Sequence, residues 1–400
     1  MAERGYFVLA DISGYTAFLN QAELEHAEDI LRHLIGALLK NTAPPLVIAK
    51  LEGDAIFSYA PQGGFLQGQT LLESIEKMYV AFRETLERTR LNTTCTCRAC
   101  TLIPSLDLKF VVHYGEYLVQ QIGGLRDLQG MEVITVHRLL KNTVKEKTHC
   151  EAYTLFSAAA VNAAGMAEIA TSMIPHLEEY EHVGEVPGFV YDMHPVWARQ
   201  SELRRDKVED AELWLSAGAD LPIPPALAWD YITRPDIKRR WMDVPSLTLV
   251  NAQGGRQLAG SEQHCAHGDR LTIFQITDWR PFDYYTVQYE LMKGVSSRET
   301  FRLTPCEGGT RFEIRDGRLV GRGLLSRLFA SILQRILTRF FKTAAVSSTA
   351  RLSQIVQQDL DSGSITIEPP DPSGLIGDYA PDQPLRLTPI QSGAHDMVKR

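Results

Sequence analysis

Phe7-Val-Leu-Ala-Asp11-Ile-Ser-Gly14-Tyr-Thr16 is the stretch that decides the fold of the first half of this chain. Its apolar beginning predicts a strand over 6–10, because a short apolar run bounded by a turn is typical of a buried strand. The residues from Asp11 onward predict a turn that opens a helix, which apolar periodicity extends to about Lys40. Asp11 is therefore placed at the end of the first strand.

A second turn, Lys50-Leu-Glu-Gly53-Asp54, lies between two short predicted strands, 46–50 and 55–59. If these strands neighbour the first one, Asp11 and Asp54 project from the same edge of the sheet. Paired carboxylates suit the hard divalent cations, Mg²⁺ or Mn²⁺, that serve phosphoryl chemistry. Taken singly, Asp11 would be read as a helix cap and Asp54 as a turn residue. Their joint placement therefore predicts a metal site.

These motifs, together with Val112-His-Tyr-Gly115-Glu116, resemble those of the class III adenylate and guanylate cyclases. The resemblance covers about residues 5–193 and keeps the order and spacing of the family. Within the family, the chain resembles an uncharacterised branch with a Cys-x-Cys-x-x-Cys insert and the segment 137–142. The resemblance implies an α+β domain with the ferredoxin-like nucleotidyl cyclase fold over residues 1–200.

The resemblance also assigns roles to five residues. Asp11 and Asp54 match the aspartates that bind two Mg²⁺ or Mn²⁺ ions, and Lys50 and Asp127 match the pair that contacts adenine. Arg138 matches the arginine that stabilises the transition state. In this family the active site forms between two cyclase domains, so a chain with one such domain implies a homodimer.

Two positions depart from the family pattern. Ile134 stands where the family has a transition-state asparagine, and the stretch 182–185 lacks the lysine that holds the terminal phosphates. Loss of one polar contact to the developing charge typically costs about 100- to 1000-fold in rate. We therefore expect the domain to bind nucleotide but to catalyse cyclisation weakly or not at all.

A cluster of cysteines lies between a helix predicted over about 70–89 and a strand predicted over 106–116. Cys95, Cys97 and Cys100 are spaced closely enough to bind Zn²⁺, which needs a fourth ligand for tetrahedral coordination. The alternative is a reduced, partly buried loop, and the sequence leaves both open. The candidates for the fourth ligand are Cys150, His149 and His113.

The second half begins after a charged boundary at about 201–220. Its element order, the segment 223–232 with Trp229-Asp, and a long final helix resemble the START-like, polyketide-cyclase-related (SRPBCC) superfamily over 210–360. The resemblance implies a helix-grip fold, in which a curved antiparallel sheet wraps around the last helix and an apolar cavity binds a hydrophobic molecule. Residues 361–400 are rich in Pro, Asp, Gly and Ser and predict a disordered tail.

The apolar residues of the final helix, between Leu324 and Phe341, predict a core-facing helix. Four basic residues in the same segment leave contact with an anionic membrane as an alternative. These residues are Arg327, Arg335, Arg339 and Lys342.

Composition narrows the class of protein. The chain has 400 residues, 44% of them hydrophobic and 22% charged, which is ordinary for globular domains. Its net charge of -8 argues against nucleic acid as the main partner. The sequence shows neither a signal peptide nor an apolar run of about 20 residues, so we expect a cytoplasmic protein without a transmembrane segment.

Three functions remain open at this stage. The leading hypothesis is a signalling protein with a weakened adenine-nucleotide domain and a domain for a hydrophobic ligand. The second is an active adenylate cyclase, a phosphorus–oxygen lyase that forms cyclic AMP. The third is a lipid or metabolite carrier in which the first domain only dimerises.

Overall fold

The computed structural model describes residues 2–122, 125–202, 205–267, 270–321, 323–365 and 367. Apart from 361–365 and 367, the segment predicted as a disordered tail lies outside these residues. The chain forms two eight-stranded sheets, one in each half, with helices packed against them, so the predicted α+β class is confirmed.

The first half contains eight strands and nine helices among the described residues. The strands are β1 (Glu3–Ser13), β2 (Val47–Glu52), β3 (Ala55–Pro61), β4 (Asp107–Ile122), β5 (Leu125–Gln129), β6 (Tyr153–Ser157), β7 (Ile174–Tyr180) and β8 (Gly184–Asp192). The helices are α1 (Tyr15–Gln21), α2 (Leu24–Asn41), α3 (Gly68–Asn92), α4 (Arg98–Leu102), α5 (Met131–Leu139), α6 (Val144–Thr148), α7 (Ala158–Ala163), α8 (Ala167–Ala170) and α9 (His194–Glu202).

The first sheet has the strand order β2-β3-β1-β4-β6-β8-β7, and β5 pairs with β4. All neighbours are antiparallel except β4 and β6, which are parallel. The order β2-β3-β1-β4 with helices after β1 and β3 is the ferredoxin-like arrangement predicted from the sequence. It places the end of β1 beside the turn between β2 and β3.

Alternation along β1 explains why both faces of this sheet are covered. Tyr6 and Val8 belong to the core formed with α2 and α3. Phe7 and Leu9 belong to a second core, which includes residues of α5. Because successive side chains of a strand point to opposite faces, the apolar run 6–10 fills both cores. The single helix predicted to Lys40 is in fact two helices, because the chain is extended at Ala22.

The second half contains eight strands and three helices among the described residues. The strands are β9 (Leu213–Leu221), β10 (Ser246–Val250), β11 (Glu262–His267), β12 (Arg270–Arg280), β13 (Tyr284–Met292), β14 (Val295–Cys306), β15 (Gly309–Gly317) and β16 (Val320–Gly321). The helices are α10 (Pro225–Thr233), α11 (Pro235–Met242) and α12 (Leu324–Asp361).

The second sheet is an antiparallel meander with the order β10-β11-β12-β13-β14-β15-β9, and β16 pairs with β14. Leu352 and Val356 of α12 are buried in its core with Trp229, Trp241 and Phe301. An antiparallel meander packed around the final helix α12 is the helix-grip arrangement. The predicted fold of this half is therefore confirmed.

The prediction that the apolar residues of the last helix face the core is wrong for much of its first half. Leu328 is 64% exposed and Ile336 is 70% exposed, whereas Ala330 on another face is buried. Burial resumes at Ala345 and continues through Leu352. The apolar pattern correctly predicts a helix, but it does not show which part of that helix the sheet covers.

The two halves meet along α3. This helix packs on the first sheet and also contacts α10 of the second half. Glu73 of α3 is completely buried and accepts hydrogen bonds from the indole nitrogens of Trp229 (2.9 Å) and Trp279 (2.7 Å). Arg256 donates to both carboxylate oxygens of Glu76 at 2.8 Å. A polar, water-poor contact of this kind fixes one half against the other.

Asp230 extends the same junction from α10. It is fully buried, accepts a hydrogen bond from the backbone N–H of Leu66 at 3.0 Å, and is bonded to the hydroxyl of Thr70. Burial raises the pKa of Asp230 to about 7 despite these bonds. Burial likewise raises the pKa of Glu73 to about 7. The junction therefore holds two carboxyl groups that the low-dielectric interior favours in the protonated form.

Candidate functional site

The structure brings Asp11 and Asp54 to one edge of the first sheet. Asp11 lies opposite Ala55 of β3 in the strand register, and Asp54 directly precedes Ala55 in the turn. Gly53 has φ 68°, a left-handed conformation that glycine adopts without strain. Burial, followed by the charge of Asp11, raises the pKa of Asp54 to about 6. The two carboxylates are therefore close enough to interact, as predicted.

Lys109 is a member of this site that the sequence reasoning missed. It lies opposite Asp11 on β4, and its Nζ is 3.1 Å from Oδ2 of Asp11. The same ammonium donates to the carbonyl of Leu140 at 3.3 Å. Alternation along β4 could have placed Lys109 on the Asp11 side of the sheet, but only once the β1–β4 register is known.

A divalent cation fits the chemistry of this edge. Asp11 and Asp54 offer two partly buried carboxylates whose mutual repulsion a cation would relieve. Lys109 already neutralises part of that charge, so a metal ion at Asp11 would have to displace its ammonium. This competition is a property of the chain itself and predicts weaker metal binding than two unpaired aspartates would give.

The predicted adenine-contacting pair also comes together. Nζ of Lys50 is 3.6 Å from Oδ1 of Asp127 and 2.9 Å from Oε1 of Glu52. Burial lowers the pKa of Lys50, but the carboxylates of Glu52 and Asp127 outweigh it and hold the pKa above its usual value. Nε2 of His137 lies 3.1 Å from the other oxygen of Glu52. The pair is half-exposed, and the β2–β3 turn connects it to the edge of the sheet that carries Asp11 and Asp54.

Helix α5 carries two positions, Ile134 and Arg138, for which the cyclase resemblance predicts roles. Ile134 is 49% exposed, and Arg138, one turn later on the helix, is exposed as well. Neither belongs to the cluster around Lys50 in the same chain.

The third motif of the cyclase resemblance, residues 112–116, contacts α5 through His113. His113 bonds to Glu132 at 2.6 Å and to the hydroxyl of Ser157 at 2.8 Å. A Cβ on Gly115 would lie 2.2 Å from Cγ of Glu132, so glycine is required for Glu132 to cross the strand. His113 is thereby engaged away from the cysteine cluster.

The fourth candidate ligand of that cluster is a residue the sequence analysis did not consider. Cys95, Cys97 and Cys100 converge on His26, the third residue of α2. His26 is about seventy residues away in sequence, and only the packing of α2 on α4 brings it there. The candidates proposed from the sequence are not part of this group, which forms among the described residues. Those candidates were Cys150, His149 and His113.

A cavity of about 270 Å³ opens at the junction of the two halves. Glu73, Glu76, Arg256, Trp279 and Pro281 are among the residues that line it. This cavity is not the hydrophobic-ligand cavity that the sequence predicts between the second sheet and α12. That predicted cavity stays a prediction.

Comparison with known proteins divides the chain in the same way as the two sheets. Residues 31–149 match a family described as a protein of unknown function (DUF2652). Residues 215–346 match the family of polyketide cyclase/dehydrase and lipid transport proteins. In the part of the chain that the structure describes, no helix is long and apolar enough to cross a membrane.

One curated relative and several solved structures are similar to parts of the chain. The uncharacterised protein Rv2561/Rv2562 of Mycobacterium tuberculosis is 36% identical over 104 residues, which cover 26% of this chain and 48% of that protein. The chain thus spans about half the length of this relative.

The guanylyl cyclase Cya2 is 14% identical with a TM-score of 0.37, covering 48% of this chain and 92% of that one. A bacterial light-regulated adenylyl cyclase is 12% identical with a TM-score of 0.36, covering 50% and 57%. Protein Ms6760 from Mycobacterium smegmatis is 16% identical with a TM-score of 0.29, covering 39% and 98%.

Proposed function

We propose that the first half binds an adenine nucleotide with a divalent cation, at a site that two copies of the chain complete, and turns it over slowly at most. The observation that carries this proposal is the joint arrangement of two pairs, Lys50 with Asp127 and Asp11 with Asp54. The pairs come from three separate segments, yet the fold gathers them at one end of the sheet. The second half would bind a hydrophobic small molecule, so that the protein serves in signalling.

The two pairs have complementary tasks. Lys50 would donate a hydrogen bond to a ring nitrogen of adenine, and Asp127 would accept one from the exocyclic amino group. The ion pair they form without ligand keeps both groups charged and oriented. The cation held by Asp11 and Asp54 would supply charge neutralisation for the phosphates. Ile134 offers the reaction no polar contact, which is the reason to expect slow turnover.

Exposed apolar side chains around this site support a homodimer. Four of them lie on β2, β4 and α5, the elements that carry or border the Lys50–Asp127 pair. In monomeric proteins such side chains are normally scattered, and a group beside a site suits a protein interface. These residues are Leu51, Leu118, Met131 and Ile134.

The proposal for the second half depends on its helix-grip fold and on the family match over 215–346. Its interior combines a large aromatic core with buried ionisable groups. Lys238 is buried and donates to Gln263 (2.7 Å) and to the hydroxyl of Tyr285 (2.8 Å). Burial raises the pKa of Glu299 to about 7. A ligand for this interior would be mainly apolar with a small polar end.

Titration of the purified chain with ATP and Mn²⁺ tests the first part of the proposal, with cyclic AMP measured in the same sample. We expect saturable ATP binding with little product. Asp54→Asn should weaken Mn²⁺-dependent binding at least tenfold, because the remaining carboxylate, Asp11, is paired with Lys109. Asp220→Asn, which alters an exposed carboxylate paired with Arg311, is the matched control and should bind normally.

Other outcomes would select the other functions. Rapid cyclic AMP formation that Asp54→Asn abolishes would identify an active adenylate cyclase. Absence of ATP binding in a folded, dimeric chain would contradict the proposal and favour a carrier whose first half serves dimerisation.

A further inference from the structure

The cluster of His26, Cys95, Cys97 and Cys100 has the spacing of a metal site. All four ligand atoms lie within 4.8 Å of one another, and Nδ1 of His26 is 3.3 Å from Sγ of Cys97 and 3.4 Å from Sγ of Cys100. With Zn–S near 2.3 Å and Zn–N near 2.0–2.1 Å, tetrahedral geometry separates the nitrogen and sulfur ligands by about 3.5 Å. The side chains are already arranged at nearly that separation.

The surroundings of the cluster are built to hold it. His26, Cys95 and Cys100 are buried, and none of the three cysteines forms a disulfide. Glu23, which precedes α2, accepts hydrogen bonds from the backbone N–H groups of Arg98 (3.2 Å) and Ala99 (3.0 Å). These bonds fix the beginning of α4 against the beginning of α2, where His26 lies.

Hydrogen bonding alone explains the cluster less well than a metal does. One ring nitrogen of histidine offers a single lone pair, yet two sulfurs lie at almost equal distances from Nδ1 of His26. A thiol is also a weak donor, so three thiols around one imidazole gain little from hydrogen bonds. A cation bound to all four atoms accounts for the equal distances.

We propose that His26, Cys95, Cys97 and Cys100 bind one Zn²⁺ ion, which is structural because four protein ligands leave no open position. The ion would tie α4 to α2 and steady the segment that follows α4. The carbonyl of Ser105 in that segment backs Gly14, where a Cβ would lie 2.8 Å from it. The zinc site thereby supports the turn that follows Asp11.

Metal analysis of the full-length chain, produced with zinc in the medium and dialysed, tests the proposal. We expect one zinc per chain, and tetrahedral d–d and thiolate charge-transfer bands after exchange with Co²⁺. His26→Ala and Cys97→Ala should lose most of the metal and lower the thermal midpoint. Cys306→Ala, at an exposed cysteine outside the cluster, should retain it.

A fourth variant keeps the test decisive if the alanine variants of the cluster fail to fold. His26→Cys should still bind one ion and show a stronger thiolate-to-cobalt band. A wild-type chain without bound metal, or His26→Ala and Cys97→Ala with wild-type zinc content, would overturn the proposal.

A second inference comes independently from the exposed first half of α12. From Leu328 to Phe340, exposed apolar residues recur four apart, so they form one stripe along the helix. Phe329 adds an aromatic ring to it. The exposed basic residues Arg335, Arg339 and Lys342 lie along one flank of this stripe at 100° per residue. The stripe consists of Leu328, Phe329, Ile332, Ile336 and Phe340.

The charge of this region favours an anionic membrane surface over a second protein chain. Residues 317–358 contain seven arginines and lysines and no aspartate or glutamate, although the whole chain has a net charge of -8. A basic flank beside a Phe- and Leu-containing face is the pattern of helices that lie in the membrane interface. We infer that the α12 stripe docks on anionic lipid.

Vesicle co-sedimentation of the full-length chain tests this inference. We expect binding to phosphatidylcholine vesicles containing one third phosphatidylglycerol, with several-fold weaker binding to pure phosphatidylcholine or at high salt. Ile336→Ser with Phe340→Ser should reduce binding at least tenfold, whereas Leu91→Ser, at an exposed leucine of α3, should not. Equal binding by all variants, or burial of the stripe in a dimer with no lipid binding, would overturn the inference.

Discussion

Replacement of Arg256 by methionine is expected to destabilise the folded chain by about 3–5 kcal/mol, the usual cost of removing one partner from a buried ion pair. The guanidinium is 2.8 Å from Glu76 and 4.0 Å from Glu73. Burial pushes the pKa of Glu76 upward, but the charge and hydrogen bonds of Arg256 outweigh it and hold the pKa below its usual value. Without Arg256, Glu76 would lose the positive charge that pairs with it in the interior, and Glu73 would lose a nearby one.

Urea unfolding followed by circular dichroism measures this effect. Arg311→Met breaks an exposed ion pair with Asp220 and should cost less than about 1 kcal/mol. The loss in Arg256→Met should grow as the pH rises from below about 4.5, because Glu76 of the folded wild type is ionised there while Glu76 of the folded variant, with its pKa raised by burial, still holds its proton. A loss as small as that of the control would show that the junction does not depend on Arg256.

The second large effect concerns the chemistry of the first half and rests on the proposed nucleotide site. Ile134→Asn is expected to raise cyclic AMP formation about 100-fold, since one preorganised polar contact to the transition state is typically worth that much. Ile134 is half-exposed on α5, so asparagine fits without disturbing the core. Product formation by the dimer, measured at saturating ATP and Mn²⁺, reports the change.

Two further variants define the control for Ile134→Asn. Leu91→Asn places the same residue at an exposed apolar position of α3, outside the proposed dimer interface, and should leave the rate unchanged. Arg138→Ala in the Ile134→Asn background should return the rate to its starting value. If Ile134→Asn binds ATP but forms no more product than the wild type, Ile134 does not occupy the transition-state position.

Local patterns predicted most of the fold and part of the site. The apolar run in β1 and the Gly53 turn are determined by neighbouring residues, so the sequence alone placed Asp54 in its turn and Asp11 beside it. The predicted end of the strand at Asp11 is wrong, because pairing with β4 extends β1 to Ser13. The relation between Lys50 and Asp127 came from the cyclase resemblance, and their 3.6 Å approach agrees with it. The assignment of these residues to nucleotide and metal stays a prediction.

The contacts that sequence reasoning missed are all long-range. His26 meets the cysteines only because α2 packs on α4, and Lys109 meets Asp11 only through the β1–β4 register. Glu73 lies in a helix whose polar residues look like an ordinary solvated face, yet two tryptophans of the other half cover it. Periodicity identifies a helix but does not say what its neighbours will cover.

The junction along α3 has a practical consequence for dissecting this protein. A fragment that ends near residue 200 would expose the side chains of α3 that the second half covers, and Leu66 would lose its bond to Asp230. The complementary fragment would lose the acceptor of two tryptophan indoles. Either piece expressed alone would expose junction side chains that are buried in the full chain, which would destabilise the piece. Inactivity of a fragment would therefore say nothing about the half it represents. Point variants in the whole chain are the way to separate the contributions of the two halves.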